Sequence, residues 1–202
     1  MIRFLSVLLL LLSGSQLYAQ NSEWMASANR YQDSLNAVFM DPERTILIKE
    51  DFEKFEGLNF YPVDLKYRVE ARFVRTPDEQ PFKMATTTNR KPLYVKYAEA
   101  YFSIDDIEYK LDVYKSMSSF NSEEYKDYLF LPFTDLTSGD GSYGGGRYAD
   151  VRIPEGDLLI IDFNKVYNPY CAYNEGYSCP IVPRVNDLPI RIEAGPPAHG
   201  SA

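Results

Sequence analysis

The chain carries one histidine, two cysteines and no run of lysines or arginines. Each shortage closes off a chemistry. The histidine, His199, lies in a Pro/Gly-rich tail. A Ser-His-Asp or Cys-His nucleophile system needs an imidazole held rigidly by a third group, which a chain end does not provide. Zinc sites draw on sulfur and imidazole at short spacings. Two cysteines eight positions apart with no usable histidine give no metal site, and no motif calls for a cofactor. The formal net charge is −8. An acidic chain without clustered cations is a poor match for phosphate backbones, so nucleic acid is excluded as a partner. Beyond residue 19 no stretch approaches the roughly 20 apolar residues that a membrane helix needs.

The one apolar run that does occur is at the start. Arg3 precedes Phe4 to Leu12, and Ser13-Gly14-Ser15 leads to Ala19. Residues 1–19 read as a secretory signal peptide with cleavage before Gln20, which predicts a periplasmic or extracellular protein with no membrane span after cleavage. The remainder suits one domain large enough to bury its own core.

From Ser22 to Met40, Trp24, Ala28, Tyr31, Leu35 and Val38 or Phe39 recur at three- and four-residue steps, which predicts an amphipathic helix capped by Asn21 or Ser22. A second short helix is expected over Glu43 to Phe55. Residues 20–57 thus form an N-terminal helical arm, 58–195 a β domain and 196–202 a flexible tail. In the β domain the period changes. Leu65 to Phe73 alternates apolar and charged residues, the pattern of a strand with one wet face. Further strands are expected at 82–88, 93–104, 107–114, 128–133, 148–153, 158–163 and 188–192, with Asp105-Asp106 joining a hairpin. The links are too short for crossover helices. The expected fold is mainly β: an antiparallel sandwich or partly closed barrel.

The stretch from Tyr143 to Gly195 holds both cysteines, a triple glycine and a loop rich in tyrosine and asparagine. The segments PFTDLTSGDGSYGGGRYADV (132–151), DFNKVYNPYCAYNEGYSCPIVP (162–183) and NDLPIRIEAG (186–195), with FEGLNFYPVDLKYRVEARF (55–73), resemble domain-of-unknown-function family 1684. The order and spacing of Gly-Gly-Arg-Tyr, Asp-Phe-Asn, Tyr-Asn-Pro, Cys-Ala-Tyr and Cys-Pro carry the resemblance. The family usually has a second proline where this chain has Tyr170, and Pro-Leu-Pro-Pro where it has Pro180-Ile181-Val182-Pro183. The resemblance implies a family and no mechanism.

Read for chemistry, Gly144-Gly145-Gly146 lacks the Lys-Ser/Thr of a phosphate loop and leads into a strand, so it is expected to be a bend where backbones approach closely. Cys171 and Cys179 in an exported chain favour a disulfide, contributing roughly 2.6 kcal/mol by the chain-entropy model. Two buried thiols and a redox pair are the alternatives. The segment from Lys165 to Asn186 is either loop architecture tied by its own polar groups or a ligand site. As a site it would use Arg147, Tyr148, Asn164, Tyr167, Asn168 and Tyr173 to hold a neutral polar ligand such as a glycan or peptide. Two functions follow. One is a non-catalytic binding or structural module of the cell envelope, for a small polar ligand or a protein partner. The other is a carboxylate-dependent hydrolase built on Asp162, Asp150 and Arg147, with Asp135 as a further candidate acid. Whether the chain is an enzyme stays open on this reading.

Overall fold

A computed structural model describes residues 2–198, with side chains from Ala19 onward. The side chains on which the export expectation rests, Arg3 and Phe4 to Leu12, and the tail histidine His199 lie outside the described residues. No helix among the described residues is long and apolar enough to cross a membrane.

Helix α1 (Ile2–Phe39) runs through the expected cap instead of starting there. Ser22 Oγ donates back to the Ala19 carbonyl at 2.8 Å, the bond a serine makes inside a helix. The apolar stripe is used as its spacing implies: Ala28 and Phe39 are buried, and Trp24, Tyr31 and Leu35 are half-buried. Near its end, Asn36 Oδ1 accepts from the Leu58 amide at 2.5 Å, which ties the helix to the returning chain. Helix α2 (Lys49–Phe52) is one turn, much shorter than the span expected over Glu43 to Phe55. The reason is local. Asp41 accepts the Glu43 amide on its carboxylate and the Arg44 and Thr45 amides on its carbonyl, forming a turn. Ile46 and Leu47 are then drawn into a cluster with Phe39, Leu58 and Tyr173.

Among the described residues eight strands follow: β1 (Arg68–Arg75), β2 (Phe82–Lys83), β3 (Leu93–Ile104), β4 (Ile107–Ser116), β5 (Tyr128–Asp135), β6 (Arg147–Arg152), β7 (Leu158–Asp162) and β8 (Asp187–Leu188). They form one sheet in the order β6-β5-β4-β3-β1-β7, antiparallel throughout, with β2 on β3 and β8 parallel to β5. The β3–β4 hairpin turns through Asp105 and Asp106, both at positive φ (52° and 61°), as a two-residue turn of this hand requires. Strands β6 and β7 are neighbours in sequence but occupy opposite ends of the order. The sheet therefore curls into a half-barrel with its seam between them. Of the two expected architectures, the partly closed barrel is the one formed.

Two expected strands shrink. The segment after Phe82–Lys83 leaves the ladder, and Thr86 Oγ1 bonds to the Arg90 carbonyl at 2.5 Å instead. Beyond Leu188 the ladder gives way to single bonds: Ile190 O accepts from the Leu136 amide at 3.0 Å, and Ile192 N donates to Asp135 Oδ2 at 2.7 Å.

Alternation places Val69, Ala71 and Phe73 of β1, Leu111 and Val113 of β4, Leu129, Leu131 and Phe133 of β5, and Ala149 and Val151 of β6 in one interior cluster. Each fully buried Leu, Val or Phe contributes about 1.5–3 kcal/mol relative to exposure. Strands β4 and β5 pair only at Tyr114 and Phe130. Where they diverge, buried Asn186 stitches them, accepting from Asp112 N at 2.8 Å and donating to Asp112 O at 2.8 Å and Pro132 O at 2.7 Å. Strand β5 is buried on both faces. Its outward Phe130 joins Met84, Tyr114 and Tyr148 in a second, mostly aromatic cluster outside the barrel. That outer layer is where the candidate site forms.

Candidate functional site

The outer faces of β5 and β6 present Tyr128, Phe130, Tyr148 and Asp150, with Phe130 opposite Asp150 in register. The segment after β7 returns along the free edge of β6. Tyr148 and Tyr167 exchange both backbone hydrogen bonds at 2.9 Å, so Tyr167 extends the sheet by one residue. Helix α1 supplies Tyr31 and Leu35 from one side, and the loop supplies Tyr170 and Tyr177 from the other. Together they line an open cavity of about 400 Å³, within the roughly 300–1,000 Å³ usual for small-molecule sites.

The walls are aromatic and meet nearly at right angles. Tyr148 and Tyr167 lie 5.8 Å apart at 89°, Phe130 and Tyr148 4.8 Å apart at 77°, and Tyr170 and Tyr177 5.2 Å apart at 76°. These edge-to-face pairings match the ring quadrupoles. On the cavity wall, Asp150 Oδ1 accepts two phenol hydrogens, from Tyr128 at 2.7 Å and Tyr167 at 2.6 Å. The Tyr148 hydroxyl donates to the Pro180 carbonyl. Burial raises the phenol pKa of Tyr31, Tyr128, Tyr148 and Tyr167, and the Asp150 charge adds to the rise at Tyr31, Tyr128 and Tyr167. The tyrosines therefore stay neutral at ordinary pH. Exposed Arg90 stands at the margin, its Nε and Nη2 bonded to Ser178 Oγ at 3.3 Å and Ser178 O at 3.1 Å.

Of the residues expected to bind ligand, Tyr148 and Tyr167 line this cavity; the other four hold the fold together. Arg147 points inward, wholly buried. Its Nη2 pairs with equally buried Asp135 at 2.9 Å and donates to the Ile192 carbonyl at 3.0 Å, and Nη1 reaches Ala194 O. Asn164 is also wholly buried and ties the Asp64 backbone on both its N–H and C=O, at 2.9 Å each. Asn168 donates to Tyr173 Oη at 3.1 Å and Pro197 O at 3.0 Å, and Tyr173 packs edge-on to Phe39 at 4.7 Å. Gly146, with φ +86°, marks the expected close approach: a Cβ there would lie 2.5 Å from the Phe133 carbonyl.

The three residues proposed for hydrolysis do not converge. Arg147 faces the barrel interior and Asp150 the outer cavity. Asp162 and Asp150 share the rim of a groove that includes Trp24, yet both Asp162 oxygens are engaged. Oδ2 accepts from Trp24 Nε1 at 3.0 Å with Lys165 Nζ at 3.7 Å, and Oδ1 caps the Asn164 amide at 3.1 Å. Asp135 is committed to Arg147, Thr137 and Ile192 N. Among the described residues no group of three His, Cys, Asp or Glu is placed to hold a metal ion.

The expected Cys171–Cys179 bridge is not formed, and both thiols are free. A short helical turn over Tyr170–Ala172 aims the Cys171 amide at the Cys179 sulfur, giving a 3.1 Å hydrogen bond in place of a covalent one. Burial, then the neighbouring Cys171 side chain, pushes the Cys179 thiol up to about 12. A thiol so raised is a poor nucleophile at neutral pH.

Sequence reasoning missed Tyr31, Tyr94, Phe130, Tyr170, Tyr177 and Arg90 as cavity residues. The available signal was the count of 17 tyrosines, more than one core of this size needs. No curated protein matches the chain significantly. The solution NMR structure of an uncharacterised protein from Haloarcula marismortui is similar, with a TM-score of 0.70 and 28% identity, covering 91% of this chain and 99% of that one. The profile of a family described as a protein of unknown function, DUF1684, matches residues 53–196, a span that holds the whole sheet and the loop over the cavity. The chain belongs to the DUF1684 family.

Proposed function

We propose that this protein is a non-catalytic binding module that holds a small polar ligand in the tyrosine-walled cavity between α1, the outer face of β5–β6 and the 165–186 loop. The observation that carries the reading is Asp150. Two phenols orient its Oδ1, while Oδ2 has no hydrogen-bond partner among the described residues, in a concave aromatic site. A few fixed polar groups in an apolar cavity are what a ligand pocket needs. The carboxylate-dependent hydrolase has less support, because its second acid, Asp162, is already engaged by Trp24, Asn164 and Lys165.

The test is a small-molecule screen by ligand-observed NMR against the full chain, repeated with Tyr177→Ala and Asp150→Asn. Both side chains are at least partly exposed, so both variants should keep the fold. Ligands that lose binding in both variants, with unfolding temperatures close to wild type, support the reading. Ligands that bind the variants unchanged overturn it. Export to the periplasm or extracellular space is part of the proposal and rests on Arg3 and the Phe4–Leu12 run of the sequence. An intact mass beginning at Gln20 supports it, and one retaining the apolar run overturns it.

A further inference from the structure

The polar groups of the cavity differ in what they can still offer. The Tyr128 and Tyr167 hydroxyls donate to Asp150 Oδ1, and the Tyr148 hydroxyl donates to Pro180 O. Three phenol protons are thus already placed, and what these groups leave open is acceptor capacity: the second Asp150 oxygen and the phenol lone pairs. An anion would meet a carboxylate and occupied donors. A neutral sugar would leave the Asp150 charge without a counter-charge.

The rings favour a cation. Tyr148, Tyr167, Tyr170 and Tyr177 all line the cavity as edge-to-face pairs, and an aromatic π-face attracts positive charge. Among the described residues, Asp150 is the only acid lining the cavity, and the buried tyrosines around it remain un-ionised. The single lining cation, Arg90, is exposed at the margin and has two of its nitrogens bonded to Ser178.

We infer that the cavity binds a small organic ammonium ion, its alkylated nitrogen boxed by Tyr148, Tyr167, Tyr170 and Tyr177 and its charge facing Asp150. The inference rests on the binding-module reading and narrows it to one ligand class. Both sides of the recognition are non-covalent, so no bond changes and no co-reactant is needed.

The experiment compares choline with 3,3-dimethylbutan-1-ol, its neutral isostere, and with methyl glucoside, by calorimetric or NMR titration of the full chain. Choline should bind at least about tenfold tighter than the isostere, the factor that a desolvated cation–π contact supplies. Asp150→Asn should weaken choline by about tenfold and leave the isostere unchanged, since only the charge term is removed. Equal binding of choline and the isostere overturns the ammonium inference. So does preferred binding of methyl glucoside; if Tyr177→Ala abolishes that binding, the binding-module reading survives. If none of the three probes binds at millimolar concentration, the ammonium inference falls, and the broader screen then decides the module reading separately.

Discussion

Strand β6 carries Arg147 and Asp150 three positions apart, and they have opposite fates. Arg147 enters the barrel, is wholly buried, and is surrounded by Asp135, Thr137 and the Ile192 and Ala194 carbonyls. Asp150 leaves the barrel, stays exposed to the cavity, and keeps one oxygen open. Both are ringed by polar groups. The difference is solvent: the interior pair makes its bonds within the protein, with only Arg147 Nε left without one, whereas the outer carboxylate keeps one oxygen open to the cavity. A buried charge must be paired because desolvation is costly, while an exposed charge can wait for a ligand. Burial also pulls the Arg147 guanidinium below its ordinary pKa, an effect that neighbouring Asp135 counters.

The strongest way to break the comparison is Asp135→Asn. It keeps the shape but leaves Arg147 buried without its counter-charge, and should cost about 3–5 kcal/mol. Urea unfolding measures this, and a loss below about 1 kcal/mol would mean that water reaches the pair. Gly146→Ala should come next. It forces a side chain onto a backbone at φ +86° and against the Phe133 carbonyl, for a loss of roughly 1–3 kcal/mol. An unchanged midpoint would mean that the bend relaxes freely.

How much of this was readable beforehand depends on distance along the chain. Alternation in β1, the Asp105-Asp106 hairpin and the α1 stripe are local patterns, and each formed. The parity of β6 was readable too: Ala149 and Val151 face inward, so Arg147 must join them while Tyr148 and Asp150 face out. Treating Arg147 as a site residue overlooked that parity. The Tyr143–Gly195 stretch was distinctive mainly because the fold needs it. Asn164, Asn168 and Asn186 each supply hydrogen bonds to backbone that has no ladder partner. The cavity itself was not legible, because Tyr31, Tyr94, Tyr128, Tyr148 and Tyr177 come from widely separated segments. Only the curl of the sheet and the return of Tyr167 along β6 bring them together.

Alkali should probe the outer region. Tyr31, Tyr128, Tyr148 and Tyr167 have raised phenol pKa values, and Cys179 is pushed up to about 12. Between the ordinary pKa of each group and its raised folded value, the folded state holds more protons than the unfolded one. Their contribution is therefore complete below the unfolded pKa values and is lost as pH rises above them. Stability should fall from about pH 9 upward. Tyrosinate absorbance at 295 nm should rise for these rings together with the loss of near-ultraviolet dichroism. Smooth ionisation of all 17 tyrosines before any unfolding would show the cavity rings to be freely hydrated.

The smallest expected effect on stability sharpens the comparison most. Asp150→Asn is the same chemical change as Asp135→Asn, made on the other face of the half-barrel. The asparagine carbonyl can still accept from Tyr128 and Tyr167, and the site is open to water, so the loss should stay within about 1 kcal/mol. A matched pair of denaturation curves separates the two roles: a large shift at 135 and a small one at 150 identifies the first carboxylate as part of the scaffold and the second as available for a ligand. If the two shifts were equal, Asp150 would be holding the outer layer together as Asp135 holds the inner one. Its half-satisfied state would then give no reason to place a ligand beside it.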